Sequence, residues 1–454
     1  MSALRGLKPL ALSPIAALGL ACIALTLSPV VFGQVQSESD KQTLTTQTSA
    51  HSETTVSLQD LLNEAEKNNP QIQAARQASQ SAEQVPRQVS TLPDPQAVVQ
   101  EFTVGSPRPF AGYTNSNFAY VGLGVSQDIP YPGKLKLKGE IAKQDVGVAE
   151  QQYESIRRSV LASIKAAYFQ LAYLSKTLGI LQSDGQLLQQ VEQAADARYR
   201  SGMGNQQDVL QAQLEQTKLL SEITMHHLEV AKAQAGMKQL LNRPQTSPDI
   251  EPSEISETPL PQTFDELLAA AQKQNPEIAG AQKIVERQKL QVDLAHKDFR
   301  PDFNLQYMWE RTDPEQYRAY YMLTFGVSLP IHRAKLHAEL AQAEADLSRS
   351  RSDLDAQSEQ VASELRVAYD TAQKTVELLK IYRDGLNPQA RAEFQAGIAA
   401  YQNNRQDFQP VLTAFLDVLH LDEQYWQNLS DRETALARIE ELTGLSVTEE
   451  ATQQ

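Results

Sequence analysis

Histidine and cysteine are the side chains best suited to metal or nucleophilic chemistry, and this 454-residue sequence contains seven histidines and one cysteine. The closest histidines lie in Met225-His226-His227 and in the pair His332 and His337. Adjacent histidines point to different sides of a helix, and an i,i+5 pair is poorly aligned for shared ligation. The sequence also lacks a phosphate loop, a catalytic triad, a zinc motif and a nucleotide fingerprint. We therefore expect no catalytic residues, no metal site and no cofactor, and hence no enzyme.

The composition excludes one class of partner and favours one class of structure. The formal net charge is −15, whereas phosphate binding needs clustered lysine and arginine, so we expect no nucleic-acid partner. Hydrophobic residues make up 41% of the chain but aromatic residues only 6%, which is a poor supply for globular cores. Long stretches rich in Gln, Ala, Glu, Leu and Ser suit long helices packed along narrow seams.

Residues 1–33 have the pattern of a secretory signal peptide. A positive start precedes an apolar run, and Val31-Phe32-Gly33 provides a cleavage site. The same residues permit lipidation of Cys22 or a retained membrane anchor, although prolines interrupt the run. Residues 34–56 are polar and predict a disordered tail. No later stretch approaches the ~20 apolar residues that a membrane helix needs, so a membrane-spanning part must be built from strands.

The second half of the chain repeats the first, and this repeat defines the elements. Residues 61–72 (LLNEAEKNNPQI) return as residues 267–278 (LLAAAQKQNPEI), an offset of 206. Other landmarks return in the same order: Pro93-Asp94 as Pro301-Asp302, Gly124-Val125-Ser126 as Gly326-Val327-Ser328, Tyr199-Arg200-Ser201-Gly202 as Phe394-Gln395-Ala396-Gly397, and Gln207-Asp208 as Gln406-Asp407. A unit this long is a complete domain plan and not a solenoid repeat of about 20–50 residues.

Each copy predicts a helix, two strands and a long helical hairpin, because apolar residues recur every three or four positions in the helices and every second position in the strands. In repeat 1 (57–243) the helix breaks at Asn69-Pro70. Its strands span about 96–104 and 117–128, and its hairpin spans 134–241. In repeat 2 (263–445) the helix spans about 264–299, the strands about 302–310 and 319–329, and the hairpin 335–442.

The hairpin turns are predicted at Gly202-Met203-Gly204-Asn205 and near Ala396-Gly397. A proline-rich connector, 244–262, joins the two repeats, and residues 446–454 form a tail.

The third predicted strand alternates most clearly. It places Phe303, Leu305, Tyr307 and Trp309 on one face and Asn304, Gln306, Met308 and Glu310 on the other. An ordinary half-buried sheet has the same alternation. Strands of about nine to eleven residues, clustered aromatics and an exported chain without a membrane helix favour a bilayer instead. Open sheet edges cannot lie in lipid, so several chains must complete one wall, and three chains would give twelve strands.

Several of these motifs resemble the outer-membrane factor (TolC) family. They are the Asn-Pro helix near the start of each repeat, the tip Tyr199-Arg200-Ser201-Gly202 with Asp208-Val209-Leu210-Gln211-Ala212, and the Leu-Asn or Leu-Thr-Gly endings. The resemblance covers residues 57–445, and residues 127–134 are most similar to the heavy-metal branch that includes CusC and CzcC.

The resemblance implies a homotrimeric channel-tunnel in the outer membrane, with a twelve-stranded transmembrane β-barrel and a helical α-barrel in the periplasm. It implies a passive exit duct that docks onto a periplasmic adaptor and an inner-membrane efflux pump, most typically of the RND type. The substrate stays open among metal ions, drugs and polypeptides. A periplasmic coiled-coil adaptor or scaffold would also use long hairpins. Such proteins usually carry one hairpin, so two hairpins with strand pairs favour the duct.

The resemblance also assigns candidate site residues. Gly202 and Gly397 match the family's tip glycines, which permit a tight turn and close approach of the adaptor, although turn chemistry alone explains a glycine. Asp196, Asp384 and Glu393 lie near the tips, where a trimer would repeat each of them as an acidic ring in the lumen. Carboxylates on the solvated outer face would have the same spacing.

Overall fold

The computed structural model describes residues 57–102, 120–312 and 318–447. The predicted signal peptide 1–33, the tail 34–56 and most of the tail 446–454 lie outside these ranges. The start of the predicted strand 117–128 also lies outside them.

The elements follow the predicted order in both halves of the chain. In the first half they are α1 (Leu58–Asn68), α2 (Pro70–Ala82), α3 (Val85–Ser90), β1 (Gln96–Phe102), β2 (Tyr120–Ile129), α4 (Lys134–Arg200) and α5 (Gln206–Leu240). In the second half they are α6 (Phe264–Gln274), α7 (Pro276–Lys297), β3 (Asp302–Thr312), β4 (Arg318–Ser328), α8 (Arg333–Ile381), a π-helical turn (Tyr382–Leu386), α9 (Asn387–Gln402) and α10 (Phe408–Thr443). At 67 residues, α4 is about 100 Å long.

Three long helices that the sequence predicts are interrupted more often than expected. The helix predicted over about 264–299 breaks at Asn275, which ends α6 and caps α7. The first helix of repeat 1 has a second break at residues 83–84, after which Pro86 occupies the first turn of α3. The helix predicted from 335 changes to π-helical geometry at Tyr382–Leu386, directly before Pro388. Proline lacks an N–H and collides with the carbonyl four residues earlier, so the backbone must widen or break at such a position.

The repeated Asn-Pro motif performs the same task in both halves. The Asn69 side chain accepts hydrogen bonds from Gln71 N and Ile72 N at 2.8 and 3.2 Å, and so caps α2. Its amide group donates to the carbonyl of Leu240, at the end of α5, at 2.7 Å. Asn275 likewise caps α7 and donates to Leu442 O at 3.1 Å. Each asparagine therefore ties the start of its repeat to the end of the same repeat.

The four strands form one antiparallel sheet in the order β1-β2-β3-β4. The register places Leu123 opposite Trp309 and Tyr307 opposite Leu323, so one face of the sheet is apolar. The other face carries polar and small residues around Met308, which is fully buried. A Cβ at Gly124 would lie only 2.4 Å from Met308 Sδ, so this strand pair needs a glycine there.

The long helices form a layer in which α4 packs against α5 and α10, and α8 packs against α7 and α10. The outer flanks of α5 and α8 carry exposed apolar side chains. On α5 these are Leu210, Leu214, Met225 and Leu228, and on α8 they are Val367, Leu378 and Ile381. Within the described ranges, no helix combines the length and apolarity needed to cross a membrane.

We predict that Asn69→Ala lowers the free energy of unfolding by about 2–3 kcal/mol, because it removes a helix cap and leaves the partly buried carbonyl of Leu240 without its donor. Thermal unfolding followed by circular dichroism checks this. Asn68→Ala is the matched control, since the Asn68 side chain is exposed. Equal unfolding temperatures for the two variants would contradict the role assigned to Asn69.

Candidate functional site at the hairpin tips

The first hairpin turns at residues 201–205, between α4 and α5. Met203 N donates to Arg198 O at 2.9 Å, and Gly202 adopts a left-handed backbone with φ of 74°. A bond that spans five residues around a left-handed residue is the Schellman ending of a helix. Gly202 therefore lies at the predicted turn, in a conformation that favours glycine.

The second hairpin turns at residues 403–407 with the same geometry. Arg405 N donates to Ala400 O at 2.9 Å, and Asn404 is left-handed with φ of 59°. Asn404 is therefore the structural counterpart of Gly202. Asparagine tolerates this conformation better than most residues, because its short polar side chain can form local hydrogen bonds.

The predicted turn near Ala396-Gly397 is therefore wrong. Gly397 lies inside α9, where it is buried, and a Cβ there would meet Val411 Cγ2 at 3.7 Å. The helix continues past it because no proline interrupts residues 389–402, and Asn403-Asn404 provides the helix ending. In the described chain, Gly397 lies where α9 packs on α10, and a Cβ there would make only an ordinary contact.

Four side chains connect the two tips to each other. The Arg198 guanidinium lies over the Tyr401 ring, 4.1 Å from its centroid. It also donates to the Asn404 side-chain oxygen and, at 3.1 Å, to Met203 O. The Tyr401 hydroxyl donates to Asp208 at 3.0 Å. Since Arg198 and Asp208 belong to the first hairpin and Tyr401 and Asn404 to the second, this tip cluster holds the hairpins together.

The electrostatics of the tip cluster keep the Tyr401 hydroxyl protonated. Burial, and then the bond to Asp208, raise the pKa of Tyr401 to about 12, while Arg198 opposes the shift. The tyrosine is therefore a hydrogen-bond donor throughout the physiological range. Two nitrogens of Arg198, Nε and Nη1, are buried without a hydrogen-bond partner. The aromatic face of Tyr401 offsets part of that cost through a cation–π contact.

The three predicted acidic residues lie apart from the tip cluster. Asp196 pairs with Arg200 at 2.8 Å within α4, and Asp384 pairs with its neighbour Arg383 at 3.1 Å in the π-helical turn. Glu393 is exposed on α9. Among the described residues, no hydrogen bond or ion pair links the three to one another.

Our interpretation of the sequence missed Arg198, Tyr401, Asp208 and Asn404 as a group. The one signal available was Asn403-Asn404 ahead of Asp407 and an apolar run, a pattern typical of a turn before a helix. The contact between Arg198 and Tyr401 had no signal, because the two residues are far apart in the chain.

Comparison with known proteins agrees with this architecture. A family model described as outer membrane efflux protein matches residues 61–243 and 267–445. The fold is similar to that of CusC, with a TM-score of 0.74 and 18% identity over 87% of this chain and 93% of that one. It is also similar to the outer-membrane channel OprN, with a TM-score of 0.73 and 17% identity over 85% and 89% of the two chains.

A third similar structure is the outer membrane protein VceC from Vibrio cholerae, with a TM-score of 0.72 and 18% identity over 85% and 96%. No curated protein sequence matches the chain significantly. The predicted fold class, long helical hairpins with four strands in a duplicated plan, is confirmed.

We predict that Arg198→Ala lowers the hydrogen-exchange protection of both tips about fivefold, equivalent to roughly 1 kcal/mol for the lost contacts. Arg200→Ala is the control, because Arg200 is exposed and pairs with Asp196 on its own helix. Loss of protection at the first tip alone would contradict a link between the hairpins.

We also predict that alanine substitutions at the two glycines affect the rate of proteolysis differently. Gly202→Ala should speed proteolysis at residues 201–205, because a left-handed backbone costs an L-residue about 1–2 kcal/mol. Gly397→Ala should leave the cleavage rate unchanged or lower it, since alanine favours a helix and its Cβ makes an ordinary contact. Faster cleavage in both variants would restore a turn role for Gly397.

Proposed function

We propose that this chain, which belongs to the outer membrane efflux protein family, forms the outer-membrane channel of a tripartite efflux system. In this proposal it is a passive exit duct and not an enzyme. An inner-membrane pump, most typically of the RND type, supplies the energy, and a periplasmic adaptor connects pump and duct. The described helices then lie in the periplasm, and the sheet lies in the outer membrane.

The apolar face of the sheet is the observation that carries the proposal. On β4, Tyr321, Leu323 and Phe325 are each about two-thirds exposed, at 69%, 69% and 65%. The apolar residues on the neighbouring strands that extend this face are Val99, Leu123, Val125, Leu305, Tyr307 and Trp309. A large continuous apolar surface is costly in water, whereas lipid stabilises it.

The edges of the sheet support assembly with other copies of the chain. In the described residues, β1 and β4 pair on one side only. Their outer N–H and C=O groups would each cost several kcal/mol in hydrocarbon without a partner. If β4 of one copy pairs with β1 of the next, every edge is satisfied, and three copies form a closed wall of twelve strands.

The helical layer leads to the same arrangement. Its unpartnered apolar flanks lie on α5 and α8, which are different surfaces at opposite edges of the layer. An interface between two different surfaces is heterologous and forms a ring when the rotation closes. The helices and the strands therefore favour the same head-to-tail trimer.

The site residues keep their roles as proposals within this trimer. The adaptor would dock at the tips, on the turn of Gly202 and on residues 403–407, while Gly397 would act through the packing of α9. Asp196, Asp384 and Glu393 remain proposed lumen carboxylates. Two of them already have an arginine counter-charge, so their rings would be less acidic than three free carboxylates.

A pair of adjacent substitutions on β4 tests the proposal. Leu323→Lys places a charge on the apolar face at the middle of the strand, whereas Thr324→Lys places it on the polar face. We predict that Leu323→Lys destabilises the membrane-inserted protein by about 2–4 kcal/mol. Thr324→Lys should fold normally and shift the conductance in planar bilayers toward anions, because its charge faces the lumen.

Cell fractionation and mass measurement of the purified protein complete this test. Outer-membrane residence as a trimer, with different outcomes for the two variants, is the expected result. A soluble monomer in which both lysines are tolerated equally would contradict the duct and favour a periplasmic coiled-coil scaffold.

A further inference from the structure

A polar cluster lies between the two hairpins, away from the tips. It contains the buried Asp184 of α4 and Asp422 of α10, the half-buried Asn387 of α9 and the exposed Arg391 of α9. Asp184 is only 5% exposed and Asp422 only 8%. Apolar side chains of the core between the hairpins, including Leu181 and Leu188, lie one turn away on α4.

The hydrogen bonds of this cluster are incomplete. Asp422 accepts from the Asn387 amide at 2.9 Å and forms an ion pair with Arg391. Asp184 Oδ2 and Asn387 Oδ1 are both buried and have no hydrogen-bond partner. A carboxylate oxygen without a donor is costly in a protein interior, so Asp184 needs either a bound ligand or a proton.

The groups that surround Asp184 favour a proton over a metal ion. Asp422 contributes a negative charge from α10, and Arg391 contributes a positive charge from α9. On the side of α5, the residue facing the next position, Gly185, is the apolar Leu219. Arginine repels a metal cation, and Asp422 already has two partners, so two free carboxylates are not available as ligands.

The cluster lies where the second hairpin has irregular backbone. Asn387 directly follows the π-helical turn Tyr382–Leu386. A π-helical turn has weaker geometry than an α-helix and frequently occurs at functional sites. A small change in the contacts of Asn387 and Arg391 can therefore be accommodated there without unfolding α9.

We propose that Asp184 binds a proton that sets how tightly α4 packs against α9 and α10 at this π-helical turn. When protonated, its carboxyl becomes a donor, and the neighbouring acceptors in the cluster are the Asp422 carboxylate and Asn387 Oδ1. When deprotonated, it is a buried anion beside Asp422, and the contact loosens to admit water. Because all four residues belong to one chain, the contact does not depend on the proposed trimer.

The direction of the pH dependence follows from the Asp184 carboxyl. Burial, and then the charge of Asp422, raise its pKa to about 6, against the opposing effect of Arg391. A raised carboxyl pKa means that the folded state binds the proton more tightly than the unfolded state. The contact is therefore tight below the unfolded value of about 4 and weakens as the pH rises from there through about 6.

A variant with a single tryptophan provides the test. The chain has two tryptophans, Trp309 in the sheet and Trp426 one turn after Asp422 on α10. In the full-length protein with Trp309→Phe, the fluorescence of Trp426 should change with a midpoint near pH 6. Adding Asp184→Asn should abolish that transition, since asparagine has nearly the same shape but cannot titrate.

Two further variants keep the test decisive. Asp422→Asn removes the negative charge beside Asp184 and frees Arg391. It should therefore lower the proton affinity of Asp184 at least threefold, which moves the midpoint to lower pH. Asp431→Asn is the control, an exposed aspartate on the same helix as the reporter, and should leave the midpoint in place.

A transition that survives Asp184→Asn would overturn the proposal. Loss of the transition in His226→Gln, with Asp184 intact, would also overturn the proposal. It would assign the transition to His226, which lies beside Glu423. If Asp184→Asn does not fold, an unchanged midpoint in Asp422→Asn would also overturn the proposal. If magnesium chloride alone produced the transition at constant pH, this would also contradict proton binding as its cause.

Discussion

Both edges of this chain are incomplete, and the rest of the structure depends on that constraint. Among the described residues, the sheet ends in two strands that pair on one side only, and the helical layer ends in two apolar flanks. Backbone polar groups and apolar side chains both require partners, for different physical reasons. In the proposed trimer, each chain is therefore one segment of a closed wall.

The two repeats adopt the same backbone geometry with equivalent residues that are not always identical. Asn69 and Asn275 are identical and make equivalent bonds in the two repeats. At the tips, Gly202 and Asn404 adopt the same left-handed conformation with different side chains. The difference has a consequence, because Asn404 has an oxygen that accepts a bond from Arg198 and Gly202 has no side chain. Divergence between the copies thus created a contact that a symmetric duplication would lack.

The periodicity of the apolar residues made the main helices and strands predictable. Contacts between particular residues could not be predicted from it. The apolar spacing of α4 and the alternation of β3 follow from the geometry of a helix and a strand, so single residues hardly affect them. The second turn was misplaced because Gly397 looks like a turn residue, although the hydrogen bonds of α9 continue through it. The tip cluster and the polar cluster around Asp184 depend on which helices become neighbours, and local sequence carries no information about that.

The two contacts between the hairpins differ in their chemistry. At the tips, the pKa of Tyr401 is raised to about 12, so its hydroxyl keeps its proton at any physiological pH. The turns of both tips are exposed, whereas Tyr401 is buried under the Arg198 guanidinium. The cluster around Asp184 contains two buried aspartates, whereas its Arg391 is exposed. In the proposed channel, a docked adaptor would lie at the tip cluster, whereas pH would act on the cluster around Asp184.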